Sequence, residues 1–209
     1  MVRIALISDT HGFHDEITIP ACDILIHSGD YSGYGDMREL IAFNQWLGTL
    51  DQCENIVVVD GNHDIFAYKS HSTARALLTN AIYLRDEMTT INGLKIWGSP
   101  WSRTYGNWAY MTEEAELLKK YNRIPENIDI LVSHTPVYGI LDHVPGFGSA
   151  GSVALRDEVK DRIKPRLLVC GHLHDDGGKQ KTVDGTIYVN AAICDEDYIP
   201  SRSPIFLWL

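Results

Sequence analysis

Five short apolar runs in this chain each stop at groups able to bind a cation or move a proton. Arg3 to Ile7 leads into Ser8-Asp9-Thr10-His11, and the run through Ile26 leads into His27-Ser28-Gly29-Asp30. Asn55 to Val59 leads into Asp60-Gly61-Asn62-His63-Asp64. Ile128 to Val132 leads into Ser133-His134-Thr135-Pro136, and Arg166 to Cys170 into Gly171-His172-Leu173-His174. Asp, Asn and His together form a mixed oxygen and nitrogen donor set without a thiolate. Such a set suits Mn²⁺, Fe or Zn²⁺ better than Ca²⁺, which takes oxygens. The groups are too many for one ion. They fit two ions ~3.5–4 Å apart bridged by a carboxylate, an arrangement used to hydrolyse phosphate esters.

The elements that must carry these groups can be read from the same pattern. Continuous apolarity over so few residues predicts strands buried on both faces. In α/β sheets ligands gather outside the carboxyl ends of the strands, so parallel, adjacent strands would bring all five ends to one rim. Asp36 can cap a helix with Glu39 three residues on, and Leu40, Ile41, Phe43, Leu47 and Leu50 follow at helical spacing. A second helix is predicted from Thr112, acidic early and ending in Lys119 and Lys120, and a third from Ser152 to a stop before Pro165. Asn92-Gly93 and Asp184-Gly185 each mark a hairpin, and Ile205 to Leu209 reads as a final strand. The expected architecture is a layered α/β sandwich with added hairpins, in a single domain over residues 1–209.

Composition narrows the functional classes. The chain has 209 residues, 44% hydrophobic and 22% charged, which excludes a disordered chain or a disulfide miniprotein. A net charge of −10 argues against long DNA or RNA as a partner, since phosphate contacts need surplus Lys and Arg. No apolar run reaches the ~18 residues that span a bilayer. The N-terminal Met1 to Ile7 reads as a first strand, not a signal peptide. Four scattered cysteines (Cys22, Cys53, Cys170 and Cys194) read as reduced, mostly buried thiols, and with the rest predict a cytoplasmic protein.

The ordered set D-x-H, G-D, G-N-H-D, H, G-H-x-H, complete here from Asp9 to His174, resembles the signature of the calcineurin-like metallophosphoesterase superfamily. The text around it, including Asn44-Gln45-Trp46-Leu47-Gly48 and Gly98-Ser99-Pro100-Trp101, is similar to the small metallophosphoesterase-domain-containing subgroup, mainly phosphodiesterases. The resemblance implies a four-layer sandwich of two mixed β-sheets flanked by helices, with the metal site at the carboxyl ends of the strands. It implies that Asp9, His11 and His174 hold a first ion, that Asn62, His134 and His172 hold a second, and that Asp30 bridges both. Mn is the expected metal, with Fe, Zn or Ni as alternatives. A hydroxide between the ions would attack a small phosphodiester, for example a nucleotide, in line. His63 is implied as the residue that protonates the leaving group, with Asp64 placed to hold its other ring nitrogen. Position 33, where many members carry an acid or Arg, is Gly here. A phosphomonoesterase or protein phosphatase is the alternative activity, and a non-catalytic metal-binding scaffold a third reading.

Outside the motifs, Trp97 to Tyr110 holds five aromatics in fourteen residues. This segment is either loop packing or a substrate wall that stacks a nucleobase. In the second case Trp101, Arg103 and Asn107 are the substrate contacts, with Arg103 or Asn107 on phosphate. His27 is a candidate support behind the metal ligands, and His14, His71 and His143 are expected in exposed or loop positions.

Overall fold

Strands with apolar side chains on both faces need cover on both sides. The computed structural model describes residues 1–209 and supplies that cover by stacking two sheets between two helical layers. In chain order the elements are β1 (Arg3–Ile7), β2 (Ile24–His27), α1 (Met37–Leu47), β3 (Ile56–Val58), α2 (Ile65–Lys69) and α3 (His71–Leu77). Next come β4 (Ile82–Tyr83), β5 (Glu87–Ile91), β6 (Leu94–Ser99), β7 (Ser102–Arg103), β8 (Met111–Thr112) and α4 (Glu114–Tyr121). The rest are β9 (Ile130–Ser133), β10 (His143–Val144), β11 (Gly148–Ser149), α5 (Val153–Glu158), β12 (Leu167–Cys170), β13 (Lys179–Val183), β14 (Thr186–Asn190) and β15 (Ile205–Trp208). No helix is long and apolar enough to cross a membrane.

One sheet has the order β15-β1-β2-β3-β4, the other β13-β14-β12-β9-β6-β5. In the first, β1 to β4 run parallel and β15 lies antiparallel on β1. In the second, β14, β12, β9 and β6 run parallel, with the hairpin strands β13 and β5 antiparallel at the two edges. The period of two divides each strand between layers. Ile4, Leu6, Ile24, Ile26 and Val57 meet Ile96, Ile130, Val132, Leu167 and Val169 between the sheets. Their neighbours Ala5, Ile7, Leu25 and Val58 turn outward onto Leu40, Phe43 and Leu47 of α1. Leu131, Leu168 and Cys170 turn the other way, onto Leu117 and Tyr121 of α4 and Leu155 of α5.

The five motif-bearing strands are therefore not one run of neighbours. Three belong to the first sheet and two to the second, and their carboxyl ends meet across the sandwich. The helices follow their caps. The Asp36 carboxylate accepts from the Arg38 and Glu39 amides while Glu39 reaches back to the Asp36 amide. Ser152 caps α5. The helix expected from Thr112 starts at Glu114, because Thr112 pairs in the β7–β8 ribbon. The Glu114 carboxylate instead accepts from the Val153 and Ala154 amides at the start of α5. His14 is not exposed as expected: it is buried against Phe43 and Trp46. His143 is exposed, and His71 is half-buried at the start of α3.

Leu6 is fully buried between the sheets. Leu6→Ala should cost about 2–5 kcal/mol, since the stacked sheets cannot collapse onto the vacated volume. Urea unfolding measures this, and a loss below about 1 kcal/mol would contradict the two-sided packing.

Candidate metal centre

The strand ends are laced together by backbone hydrogen bonds before any side chain acts. The Asp9 amide donates to the Gly29 carbonyl at 2.9 Å, and the His11 amide to the Asp30 carbonyl at 3.0 Å. Asp9, His11, Asp30 and His172 have φ of 50°, 44°, 56° and 68°. Residues with a Cβ rarely adopt that left-handed region, and strain of this kind costs about 1–3 kcal/mol per residue. Two glycines answer a different need. A Cβ on Gly61 would collide with an Asp30 carboxylate oxygen, and one on Gly171 with an Asp9 carboxylate oxygen. Both motif acids therefore lie against main chain where only glycine fits.

Three groups of ligating atoms result, each with all members within 4.8 Å of one another. They are Asp9 with His11 and His174; Asp30 with His134 and His172; and His11 with Asp30 and His63. Asp30 thus belongs to both halves of the cluster. His134 Nε2 lies 2.9 Å from Asn62 Oδ1 and 3.4 Å from Asp30 Oδ2, which brings Asn62 into the second half. His174 Nε2 lies 3.3 Å from both His11 Nε2 and Asp9 Oδ1. All seven expected ligands are assembled in one place.

The donor set fits divalent ions. Nδ1 of His11, His134 and His174 lies 3.2, 2.9 and 2.7 Å from the carbonyls of Ser32, Ser28 and Asp195. A carbonyl only accepts, so each Nδ1 carries a hydrogen and each Nε2 is the nitrogen that faces the cluster, free to ligate once neutral. Nε2 of His11 and of His174 lie 3.3 Å apart, a contact that a proton or a cation between them makes favourable. Charge points the same way. Burial pushes His11 down to about 4 and His172 down to about 3, so both are neutral at pH 7 and able to ligate. Burial alone would raise Asp9 and Asp30, but His174 and His134 beside them outweigh it and hold both below the usual carboxylate range. Burial lowers His134, yet the charge of Asp30 prevails and raises it to about 9.

Behind the ligands stand residues that fix them. His27 is fully buried; its Nδ1 accepts from the Gly29 amide at 3.2 Å, so its Nε2–H donates to Thr10 Oγ1 at 3.0 Å. It braces the main chain on either side of the centre. Asp64 does not hold His63 as expected. Its carboxylate accepts from the amides of Asp30, Ser32 and Gly61 and from the Ser32 hydroxyl, tying the loop after β2 to the loop after β3. The Gly33 carbonyl takes the His63 Nδ1–H instead, at 2.9 Å, so a position without a side chain serves through its main chain. Beneath this loop the hydroxyls of Tyr31, Tyr83 and Tyr110 all donate to the buried Asp60 carboxylate.

The expected substrate residues separate. Arg103 lines a cavity of about 380 Å³ together with Tyr105, Phe147 and His172, which joins that cavity to the cluster. Asn107 is exposed and does not line it. Trp101 is turned away: its indole N–H donates to Asp86 at 2.8 Å and Lys120 Nζ sits 3.3 Å over its ring. Other aromatics reach the centre. Trp108 stacks on His63 at 4.3 Å, and Tyr198 meets His11 edge-on at 4.7 Å and His174 at 5.2 Å. Trp108 lay within the aromatic run that the sequence marks, whereas Tyr198 sits in a plain acidic loop with no motif.

His134 must be neutral to ligate, so an ion entering the centre at pH 7 displaces its proton. Calorimetric titration with Mn²⁺ in buffers of different ionisation enthalpy should show proton release. Identical heats in all buffers would contradict the charge arrangement described above.

The model of the calcineurin-like phosphoesterase family matches residues 2–176. Metallophosphoesterase domain-containing protein 1 of Homo sapiens is 38% identical over an alignment covering 98% of this chain and 70% of that protein. Its Mus musculus counterpart aligns to the same extent. The structure of a 5′-nucleotidase precursor from Thermus thermophilus superposes with a TM-score of 0.51 at 12% identity, over 90% of this chain and 48% of that one, which shows a shared fold. The chain belongs to the calcineurin-like phosphoesterase family, a family of phosphoric ester hydrolases.

Proposed function

We propose that the protein is a two-metal phosphodiesterase acting on a small phosphodiester, a nucleotide among the candidates. The observation that carries this reading is Asp30, the one carboxylate shared between the Asp9/His11 side and the His134/His172 side of the cluster. In this reading Asp9, His11 and His174 hold one ion, Asn62, His134 and His172 the other, and Asp30 both. Mn²⁺ suits these donors, as do Fe, Zn and Ni. When bound, such a pair lowers the pKa of a water toward neutrality and neutralises phosphoryl oxygens.

The chain's own residues then have distinct tasks. The Asn62 carbonyl is a neutral ligand, which leaves more positive charge facing the substrate than a third carboxylate would. His63 keeps Nδ1–H on the Gly33 carbonyl and offers Nε2 toward the His11 side of the cluster. Trp108 stacked on one face of its ring holds that direction. A proton on His63 Nε2 is placed to reach a departing ester oxygen. Arg103 supplies the positive charge in the adjoining cavity, and Tyr105 and Phe147 supply flat apolar walls for an aromatic substituent.

Reconstituted protein should contain two Mn²⁺ per chain and lose turnover in excess chelator. Asp30→Ala should lower both stoichiometry and rate more than a change at either half alone; wild-type turnover in this variant would rule out the shared ligand. The role of His63 is tested by leaving group. His63→Ala should keep its metal and lose ~10²–10⁴-fold on a nucleotide ester, whose alkoxide needs a proton. It should lose little on an activated aryl diester. Equal losses on both would assign His63 to phosphate binding, and loss of one metal equivalent would make it a ligand. Running aryl monoesters beside the diesters separates a phosphodiesterase from a phosphomonoesterase.

A further inference from the structure

At the opposite end of the first sheet from the metal centre, Cys22 and Cys53 stand side by side. They precede β2 and β3 and form a parallel bridge pair. The register is fixed by main chain on both sides: the Cys22 amide donates to the Gln52 carbonyl and the Glu54 amide to the Cys22 carbonyl, each at 3.1 Å. The two Sγ atoms are 3.4 Å apart. Cys22 is buried and Cys53 partly exposed, so solvent reaches the pair from one side. The contact with the Cys53 thiol outweighs burial and holds the Cys22 thiol below its usual range, and the Arg3–Asp23 ion pair, 2.8 Å, lies beside it. The other two cysteines lack a thiol partner and an exposed side. Cys170 and Cys194 are buried, and Cys170 Sγ contacts the Val189 carbonyl at 3.4 Å.

We infer that Cys22 and Cys53 are a dithiol modification site that a hydroperoxide converts to an intrachain disulfide, while Cys170 and Cys194 remain thiols. The chemistry balances without a further reagent. One thiolate attacks a peroxide oxygen, the O–O bond breaks, and the departing oxide takes a proton. The sulfur becomes a sulfenic acid, oxidised by two electrons. The second sulfur attacks it, the S–S bond forms and the hydroxyl leaves as water. Two thiols and one hydroperoxide give one disulfide, one alcohol and one water. Hydrogen peroxide, as the simplest member, gives two waters. The result is the same whichever sulfur reacts first, because its partner is already in contact.

The bond would close the segment from residue 22 to residue 53, which contains α1 and Asp30. It would join the entrances of two strands whose far ends carry Asp30 and Asn62. Cross-linking a loop of this length restricts the unfolded chain and so stabilises the folded one. The inference is independent of the reading of the metal centre, since no residue of that centre takes part.

The test is to treat the full-length protein with hydrogen peroxide, denature it with an alkylating reagent present, and count labels by intact mass. Reduced protein takes four labels, one per cysteine. The oxidised protein should take two, and its digest should contain one linked pair of peptides, carrying Cys22 and Cys53. Cys53→Ser, at a partly exposed position that tolerates it, should form no intrachain link after the same treatment; Cys22→Ser is the second variant. Oxidised wild type should melt several degrees above the reduced form. Four labels after treatment, or a link that includes Cys170 or Cys194, would overturn the inference.

Discussion

Two carboxylates, Asp9 and Asp30, are buried at one end of this fold with no lysine or arginine against them. A buried charge without a counter-charge costs several kcal/mol, so this pair is the constraint that the rest of the site answers. Part of the answer is main chain: the His172 amide donates to Asp9 and the His63 amide to Asp30. Part is the ring of histidines, whose outer nitrogens are tied to carbonyls so that their inner nitrogens face the acids. The two carboxylates and the inward-facing ring nitrogens together form a site suited to cations, which at neutral pH take the place of protons on His134 and His174. Five of the seven candidate ligands are neutral donor types, which keeps the negative charge of the set low.

The fold exists to bring those groups together from distant parts of the chain. Parallel strands place their carboxyl ends on one side of each sheet, and stacking two such sheets doubles the number of ends at the rim. The strain is local and sits at the candidate ligands: four of the seven occupy left-handed φ. The hydrophobic layers supply the rigidity that holds it there, since every strand feeding the site is buried on both faces. Asp64 and His27 do not reach the cluster. They join the loops on which Asp30, Asn62 and Thr10 ride, which is why buried polar residues extend beyond the ligand set.

Much of this was legible in the residues. Buried strands announce themselves as unbroken apolar runs, and the runs ending at Ile7 and Cys170 stop where the strands do. The metal-ligating types follow those runs directly, so their convergence could be expected. What could not be read was which sheet each strand joined, because an apolar run does not name its neighbour. Side-chain direction was equally hidden. Trp101 and Trp108 are alike in sequence, yet one turns to Asp86 and the other onto His63. Asp64 adjoins His63 but points into the β2 loop, and a backbone carbonyl, silent in any pattern, takes the place assigned to it. Tyr198 reaches the centre because the Asp195 carboxylate, by accepting from the amides of Asp197 and Ile199, folds its loop back over the ligands. The α2 and α3 helices carry no signal in the sequence because each is too short to show a period.

The central claim is that one cluster holds two ions through a shared Asp30. Anomalous scattering from crystals of the Mn²⁺-loaded protein tests it most directly. The account predicts two anomalous peaks, one contacting Asp9, His11 and His174, the other Asn62, His134 and His172, with an Asp30 oxygen bound at each. A single peak, or two peaks of which Asp30 touches only one, would contradict it.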